Sequence, residues 1–394
     1  MRMWRRYGKA AFVAACALAL AACGGGGGGG AGADVVRVGI NAEITGSIPK
    51  VGEQTRHAAE MFVEELNNAG GVDLGDRQVT LELVIEDNGA TPEGAAAAST
   101  KLITQDNVAV IVGANASAQA IPAAEVADAN ATPIISPWST NPDTTAGRPY
   151  AFRVPFLDDF QGPVIANFVE EEFGFERAAV LYDVGSDYPK GLAEFFTQAW
   201  EEDGHEVVAT ETFTTGDSDF SAQLTSIRNS GADFLFTPQY YNEVPLIVSQ
   251  ARSLGIDVPI MGSDSWSDPQ TLELCGEECE GTFFSAHYVP AGATGSTKEF
   301  IDAYEERYGE IPGDVAALTW DAMQIVVEGI RNCGEITGEV ATDRDCIRDG
   351  MAAIEELEGI TGTMSFDDEG DPVKCAVIAR IEEGDFVFHQ EVCP

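Results

Sequence analysis

The segment 108–137, VAVIVGANASAQAIPAAEVADANATPIISP, decides the fold class of this chain. Its β-branched run at 108–114 predicts a buried strand, and TPIISP at 132–137 predicts a second one. Between them, IPAAEVADANA at 121–131 predicts a helix that follows the polar turn at 115–117. A strand, a helix and a second strand in this order indicate a βαβ unit within a parallel sheet.

The same alternation continues on both sides of this unit. Before it come the predicted strand VVRVGI (35–40), a helix (52–71), a strand (79–87) and a helix (92–107). After YAFRVPFLDD (150–159), a second series alternates helices with strands, and three helices and a terminal hairpin follow it. A chain of 394 residues with two such series is expected to form two α/β domains.

Composition and the absence of certain motifs limit the classes of function that we expect for this chain. The formal net charge is −43, and 44% of the residues are hydrophobic, so the chain is expected to fold and to repel nucleic acid. No Walker loop, HExxH or G-x-S-x-G motif is present, and the four histidines lie far apart without a nucleophile motif. We therefore expect no enzyme activity, no cofactor and no nucleic-acid partner.

The N-terminal residues predict export. MRMWRRYGKA (1–10) is positively charged, and the apolar run at 11–22 is too short to span a bilayer, as in a secretory signal. The motif LAAC (20–23) resembles the lipobox of bacterial lipoproteins. This resemblance implies a signal peptide at 1–22, a lipid on Cys23, a glycine-rich tether over 23–33, and anchoring at the outer face of the cytoplasmic membrane. The alternative is an ordinary signal peptide and a soluble exported protein.

Six further cysteines are compatible with disulfide bonds in an exported protein. They allow fifteen sets of pairs, and sequence proximity favours Cys275–Cys279, Cys333–Cys346 and Cys375–Cys393. The hairpin signal EEGD (382–385) supports the last pair, because it places the two cysteines opposite each other. CGEEC (275–279) has no histidine nearby, so we expect no metal site there.

Several stretches resemble the leucine/isoleucine/valine-type periplasmic binding proteins of ABC transporters. They are RVGINAEITGSIPKVGEQTRHAAEMFVEELNNAGGV (37–72), the segment 108–142, FRVPFLDDFQGPVIANF (152–168) and MSFDDEGD (364–371). The resemblance implies two Rossmann-like lobes with parallel sheets, joined by three crossover strands near 154–157, 285–289 and 362–366. Lobe 1 would comprise 34–156 plus 287–362, and lobe 2 would comprise 157–286 plus 363–394.

The family motif also implies a ligand site between the lobes. Ser117 and Thr140 would offer hydroxyls to a ligand carboxylate, and Trp138 its backbone, near a helix N-terminus that favours anions. Asp264 would hold the ligand ammonium beside Tyr188 and Tyr240. Without the resemblance, the two hydroxyl residues would be read as helix caps and the tyrosines as rim aromatics.

Two departures from the family pattern leave the ligand's identity open, and the first is Val51, which stands where many family members have an aromatic residue. Trp138 occupies a position that is often alanine, and Trp266 follows Asp264 by two residues. The resemblance implies a monomer that captures a branched-chain or related amino acid and delivers it to an ABC permease. The alternatives are a sensor of the same fold that signals to a membrane receptor, and a binder of aromatic or other carboxylates.

Overall fold

Two separate sheets of mainly parallel strands organise the chain. The computed structural model describes residues 35–394 except positions 76 and 368. The predicted signal peptide, the lipid site at Cys23 and the glycine tether lie outside these residues. Among the described helices, none combines the length and apolar character that crossing a membrane requires.

The first sheet has six strands, of which only the short edge strand runs antiparallel to its neighbour. They are β1 (Val35–Ala42), β2 (Val72–Asp73), β3 (Gln78–Asp87), β4 (Val110–Gly113), β5 (Ile134–Ser136) and β6 (Ala151–Arg153). Their order across the sheet is β2-β3-β1-β4-β5-β6. The connecting helices are α1 (Pro49–Asn68), α2 (Pro92–Thr104) and α3 (Ser117–Ala129). The strands β4 and β5 are buried throughout, as expected for apolar strands covered on both faces.

The second sheet begins with five parallel strands. They are β7 (Arg177–Asp183), β8 (Glu206–Phe213), β9 (Phe234–Phe236), β10 (Ile260–Gly262) and β11 (Phe283–Ala286). The helices of this part are α4 (Asp158–Phe173), α5 (Asp187–Glu202), α6 (Ser221–Ser230), α7 (Val244–Ser253) and α8 (Pro269–Cys275). This is the second α/β series that the sequence predicts.

After β11 the chain returns to the first lobe. It forms α9 (Gly295–Tyr308), α10 (Asp314–Cys333) and α11 (Val340–Ala352), and α10 packs against α1. A small antiparallel sheet follows, made of β12 (Leu357–Gly359), β13 (Gly362–Phe366) and β14 (Pro372–Val373). The chain then adds β15 (Ala376–Glu382) and β16 (Asp385–Val392) to the second sheet, giving the order β16-β15-β11-β10-β9-β7-β8. The prediction of a two-lobed α/β fold is confirmed.

Three disulfide bonds brace this architecture. Cys375–Cys393 closes the terminal hairpin, whose turn carries Gly384 at φ 80°. Cys333–Cys346 joins α10 to α11, and Cys275–Cys279 ties the end of α8 to the following turn. These are the three pairs that sequence proximity favours.

The strand order creates a switch point in each sheet. In the first sheet, β1 is followed in the chain by β3 on one side and then by β4 on the other. In the second sheet, β7 has β8 on one side and β9 on the other. Ligands of open parallel sheets bind outside the carboxyl ends of the strands at such points.

Candidate functional site

A narrow cavity, with no room for a water molecule in this closed arrangement, lies where loops from the two sheets meet. Its lining residues are Ala116, Ser117, Trp138, Tyr188, Tyr240 and Asp264. The first three follow β4 and β5 of the first sheet, and the others follow β7, β9 and β10 of the second. Five of the seven residues that the sequence predicts as ligand contacts therefore lie around one space.

The turn after β4 is held by a buried carboxyl group. Asn115 donates to Glu43 through its backbone N–H at 3.0 Å and through Nδ2 at 2.5 Å. Burial raises the pKa of Glu43, whereas these hydrogen bonds act in the opposite direction. The turn leads into α3, whose first residue is Ser117. The side chain of Ser117 thus lies at the positive end of a helix dipole, where an anion is favoured.

The loop after β5 is built from hydroxyl contacts. Ser136 donates to the Ala114 carbonyl at 2.7 Å and accepts from the Ser139 backbone N–H at 3.1 Å. The Ser139 hydroxyl donates to Ser117 Oγ at 2.9 Å. These contacts connect the two first-lobe loops that line the cavity, so they position Ser117 and Trp138 together.

A buried ion pair also supports the loop after β5. Arg153 Nη1 donates to the carbonyl oxygens of Ser139 at 3.0 Å and Asn141 at 2.8 Å. Its Nε lies 2.5 Å from Asp371 Oδ1, and both side chains are almost fully buried. Burial lowers the pKa of Arg153, and the charge of Asp371 raises it. The ion pair couples the site loop to the segment between β13 and β14.

Asp264 is the centre of the second-lobe half of the site. Its Oδ1 accepts from the Tyr188 hydroxyl at 2.6 Å and from Gln161 Nε2 at 2.7 Å. Its Oδ2 lies 3.4 Å from His287 Nε2. Burial lowers the pKa of His287, which favours the neutral imidazole. A carboxylate at this position is oriented by its neighbours and faces the cavity, as a partner for a ligand cation must.

Aromatic rings form one side of the cavity. The ring of Tyr240 lies 5.7 Å from that of Trp138 and 5.3 Å from that of Tyr188, measured between centroids. Burial, followed by the charge of Asp264, raises the pKa of Tyr188 well above its usual range. Tyr188 therefore stays a neutral hydrogen-bond donor at physiological pH.

Two predicted contacts lie outside the cavity lining. Trp266 is fully buried among the apolar side chains of the second lobe, against Phe284 and Gly262, and its indole N–H donates to the Thr237 carbonyl at 3.3 Å. Because the ring faces this apolar cluster, the structure does not support Trp266 as a wall of the cavity. Thr140 is also buried, and its carbonyl accepts from the Asp158 N–H at 2.9 Å.

The structure adds three buried titratable residues that the sequence analysis did not select. Asp158 begins α4, Asp314 begins α10, and His287 follows β11. Burial raises the pKa of both aspartates well above the usual range, and the charge of Asp264 is the second cause in each case. Neither oxygen of Asp158 has a hydrogen-bond partner among the described residues. In the sequence, the two aspartates are marked only as acidic residues at the start of a helix. Such residues are common because a negative charge stabilises the positive end of the helix dipole.

Direct contacts between the lobes hold the cleft closed. Gln54 Nε2 of α1 donates to Asp268 Oδ2 at 2.6 Å, and the Lys50 backbone N–H donates to the Tyr241 hydroxyl at 3.2 Å. Burial raises the pKa of Asp268 to about 6. The structure thus describes an arrangement in which both halves of the site face each other.

Comparison with known proteins identifies the family of the chain. The periplasmic binding protein family matches residues 35–385 of the chain. The chain belongs to this family. One curated relative is the leucine-, isoleucine-, valine-, threonine- and alanine-binding protein of Pseudomonas aeruginosa. It is 28% identical over 341 residues, which cover 86% of this chain and 87% of the relative.

Solved structures resemble the whole described fold. The leucine-binding protein LivK from Thermotoga maritima is 32% identical with a TM-score of 0.84, covering 91% of this chain and 99% of its own. LivJ from Streptococcus pneumoniae, solved with isoleucine, is 32% identical with a TM-score of 0.83, covering 91% and 100%. A solute-binding protein from R. palustris, solved in complex with benzoate, shares the fold. It is 21% identical with a TM-score of 0.82, covering 91% of this chain and 97% of its own.

Proposed function

We propose that this periplasmic binding protein captures a small amino acid between its lobes, outside the cytoplasmic membrane, and delivers it to an ABC permease. The observation that carries the proposal is the cavity itself. It has Ser117 at the N-terminus of α3 on one side and Asp264 on the other. A zwitterionic ligand needs a partner for its carboxylate and another for its ammonium group, because burying either charge without a partner is costly.

Each pole has a defined chemical role in the proposal. The ligand carboxylate would accept hydrogen bonds from the Ser117 hydroxyl and from backbone N–H groups at the start of α3. The ligand ammonium would donate to Asp264, whose orientation is set by Tyr188 and Gln161. Such charge-assisted hydrogen bonds are shorter and stronger than neutral ones.

The names of the similar proteins support the amino acid class. The Pseudomonas aeruginosa relative and LivK are leucine-binding proteins by name, and LivJ was solved with isoleucine. Their permease partners and exported location follow for this chain as part of the proposal. The lipid at Cys23 and the monomeric state are further parts of it, based on the N-terminal motif and the family resemblance.

Binding of an aromatic carboxylate is the second candidate function. Trp138, Tyr188 and Tyr240 place three aromatic rings on the cavity, which could pack against a benzene ring. In this case Ser117 would keep its role, and Asp264 would have no ligand charge to meet.

Calorimetric titration of the mature domain separates the two candidates. The panel contains free amino acids, their N-acetylated and amidated forms, benzoate and 4-hydroxybenzoate. We expect a free amino acid to bind, and blocking either end to abolish binding. Binding of the benzoates without any amino acid would contradict the proposal in favour of the second candidate.

Substitution of Asp264 tests the ammonium pole directly. We expect Asp264→Ala to weaken amino acid binding by about 2–5 kcal/mol, because the ligand ammonium would be buried without its carboxylate. Glu93→Gln, a change of an exposed acid in the first turn of α2, is the control. Unchanged affinity of the Asp264→Ala protein in the same titration would remove this residue from the site.

A further inference from the structure

Three buried side chains from the two lobes converge beside the cavity. One carboxylate oxygen each of Asp264 and Asp314 and one ring nitrogen of His287 all lie within 4.8 Å of one another. Asp314 is the first residue of α10 in the first lobe, whereas the other two follow β10 and β11 of the second sheet. The three side chains are each at most 2% exposed. Closure of the lobes is therefore what brings this set together.

The set holds two acidic side chains and one imidazole, and burial and the charge of Asp264 raise the pKa of Asp314 well above its usual range. Burial lowers the pKa of His287, so the imidazole is neutral and cannot offset two carboxylates. The buried cation Arg153 is paired with Asp371. Lys374 Nζ donates to Thr361 Oγ1 at 2.7 Å, and although burial lowers the pKa of Lys374, this residue lies near enough to Asp314 for the carboxylate charge to raise that pKa. Two carboxylates this close repel each other unless a proton or a cation lies between them.

Unused hydrogen-bonding atoms point independently to a ligand. Among the described residues, the buried His287 Nδ1 has no hydrogen-bond partner, and the buried Tyr240 hydroxyl has only the Ser186 side chain beside it. Tyr240 is 8% exposed and lines the same cavity as Asp264. Trp138, which also lines the cavity, donates its indole N–H to Asp314 Oδ2 at 3.4 Å. Asp314 is thus connected to the cavity wall.

The number and closeness of the three acceptors suit a primary ammonium group. Hydrogen bonds from an ammonium to carboxylate oxygens are about 2.8 Å long, so three acceptors around its tetrahedral nitrogen lie about 4.6 Å apart. The three atoms lie within 4.8 Å of one another, which is close enough for one ammonium group to contact all of them. A primary ammonium also supplies three donors for three acceptors.

We propose that Asp314 is a second carboxylate for the ligand's ammonium, contributed by the first lobe, so that carboxylates of both lobes and the imidazole of His287 hold one –NH₃⁺ group. The inference rests on the proposed function and sharpens it. The ligand class is a primary amino acid, because each N-methyl group removes one of the three donors. The ammonium also bridges the two lobes, so it favours the closed cleft.

The test compares Asp314→Asn with the wild type, using the free amino acid that binds most tightly in the calorimetric panel and its N-methyl analogue. Asparagine has the same shape and keeps an oxygen for the Trp138 N–H, so the variant is expected to fold, which circular dichroism and thermal unfolding check. Glu93→Gln is the matched acid-to-amide control in the first turn of another helix.

We expect Asp314→Asn to weaken binding of the free amino acid at least about tenfold, and Glu93→Gln to leave it unchanged. The N-methyl analogue is expected to bind the wild type at least about tenfold more weakly than its parent. Equal affinity of wild type and Asp314→Asn for the amino acid would overturn the inference while leaving the proposed function intact. Failure of every amino acid to bind the wild type would instead contradict the proposed function.

A titration with Zn²⁺ alone provides an independent result. Two carboxylates and an imidazole are also ligands that zinc accepts. We expect no stoichiometric Zn²⁺ binding to the ligand-free wild type. Tight binding of one Zn²⁺ that Asp314→Asn abolishes would assign the three side chains to a metal and overturn the inference.

Discussion

At the scale of single residues, the two tryptophans that follow strands near the candidate site are expected to have different roles, one in ligand binding and the other in stability. Trp138 and Trp266 look alike in the sequence, since each follows a strand end by a few residues. In the structure, Trp138 lines the cavity, whereas Trp266 is packed into the apolar cluster of the second lobe. The two indoles also donate to different groups, Asp314 in the first case and the Thr237 carbonyl in the second.

We expect the same substitution at these two positions to have opposite consequences. Trp266→Phe should lower the free energy of unfolding by about 1–3 kcal/mol, because the buried Thr237 carbonyl loses its donor, and should change ligand affinity less than about twofold. Trp138→Phe should weaken ligand binding more than about fivefold through the altered cavity wall. Denaturant unfolding and calorimetry of both variants check this. A large loss of affinity with unchanged stability in Trp266→Phe would place that residue in the ligand site.

At the scale of elements, loops at the carboxyl ends of strands carry the site, and buried polar contacts hold them. The loop after β5 depends on Arg153, which binds two of its carbonyl oxygens and pairs with Asp371. Asp371 lies far along the chain, between β13 and β14. A segment far along the chain thereby stabilises a loop of the candidate site.

Breaking this ion pair should destabilise the protein strongly. We expect Arg153→Met to lower the free energy of unfolding by about 3–5 kcal/mol, because Asp371 is then a buried charge without a partner. Adding Asp371→Asn should recover part of the loss, since the uncompensated charge is removed. Urea unfolding of the wild type, the single variant and the double variant measures both effects. An Arg153→Met protein as stable as the wild type would show that the pair does not support the loop.

At the scale of the whole molecule, several carboxyl groups are buried where the two lobes face each other. Asp268 of the second lobe accepts from Gln54 of the first, and burial raises its pKa to about 6. An Asp exposed by opening would have its usual pKa near 3.8. Between these values the closed form binds a proton that the open form does not, so a falling pH favours the closed form.

The ligand-free protein should therefore close as the pH falls through about 6. We expect its radius of gyration in small-angle X-ray scattering to decrease between pH 7.5 and pH 5. Asp268→Asn should reduce this dependence but not abolish it, because burial raises the pKa of Asp158 and Asp314 as well. Asp203→Asn, at an exposed residue after α5, serves as the control. An unchanged pH profile in Asp268→Asn would exclude this contact as a source of the dependence.

The family and the two-lobed fold were predictable from the sequence, and both predictions are confirmed by the comparisons and the structure. Strand and helix periodicity is local, so runs such as RAAVLYD (177–183) and the hairpin around Gly384 need no distant information. The disulfide pairs were favoured for the same reason, since their cysteines are near one another in the chain. Ser117, Trp138, Tyr188, Tyr240 and Asp264 could be selected because each follows a strand end in a motif that resembles the family.

Only the tertiary structure decided which side chains meet. Asp158, His287 and Asp314 come from three distant segments, and nothing local marks them as more than helix-end charges or an isolated histidine. The inward packing of Trp266 likewise depends on Phe284 and Thr237, which belong to neighbouring strands and loops. The physical reason is that the sequence pattern indicates which face of each helix or strand is buried, and this depends on neighbouring residues alone. The grouping of charged side chains around the cavity depends on how elements far apart in the chain pack together.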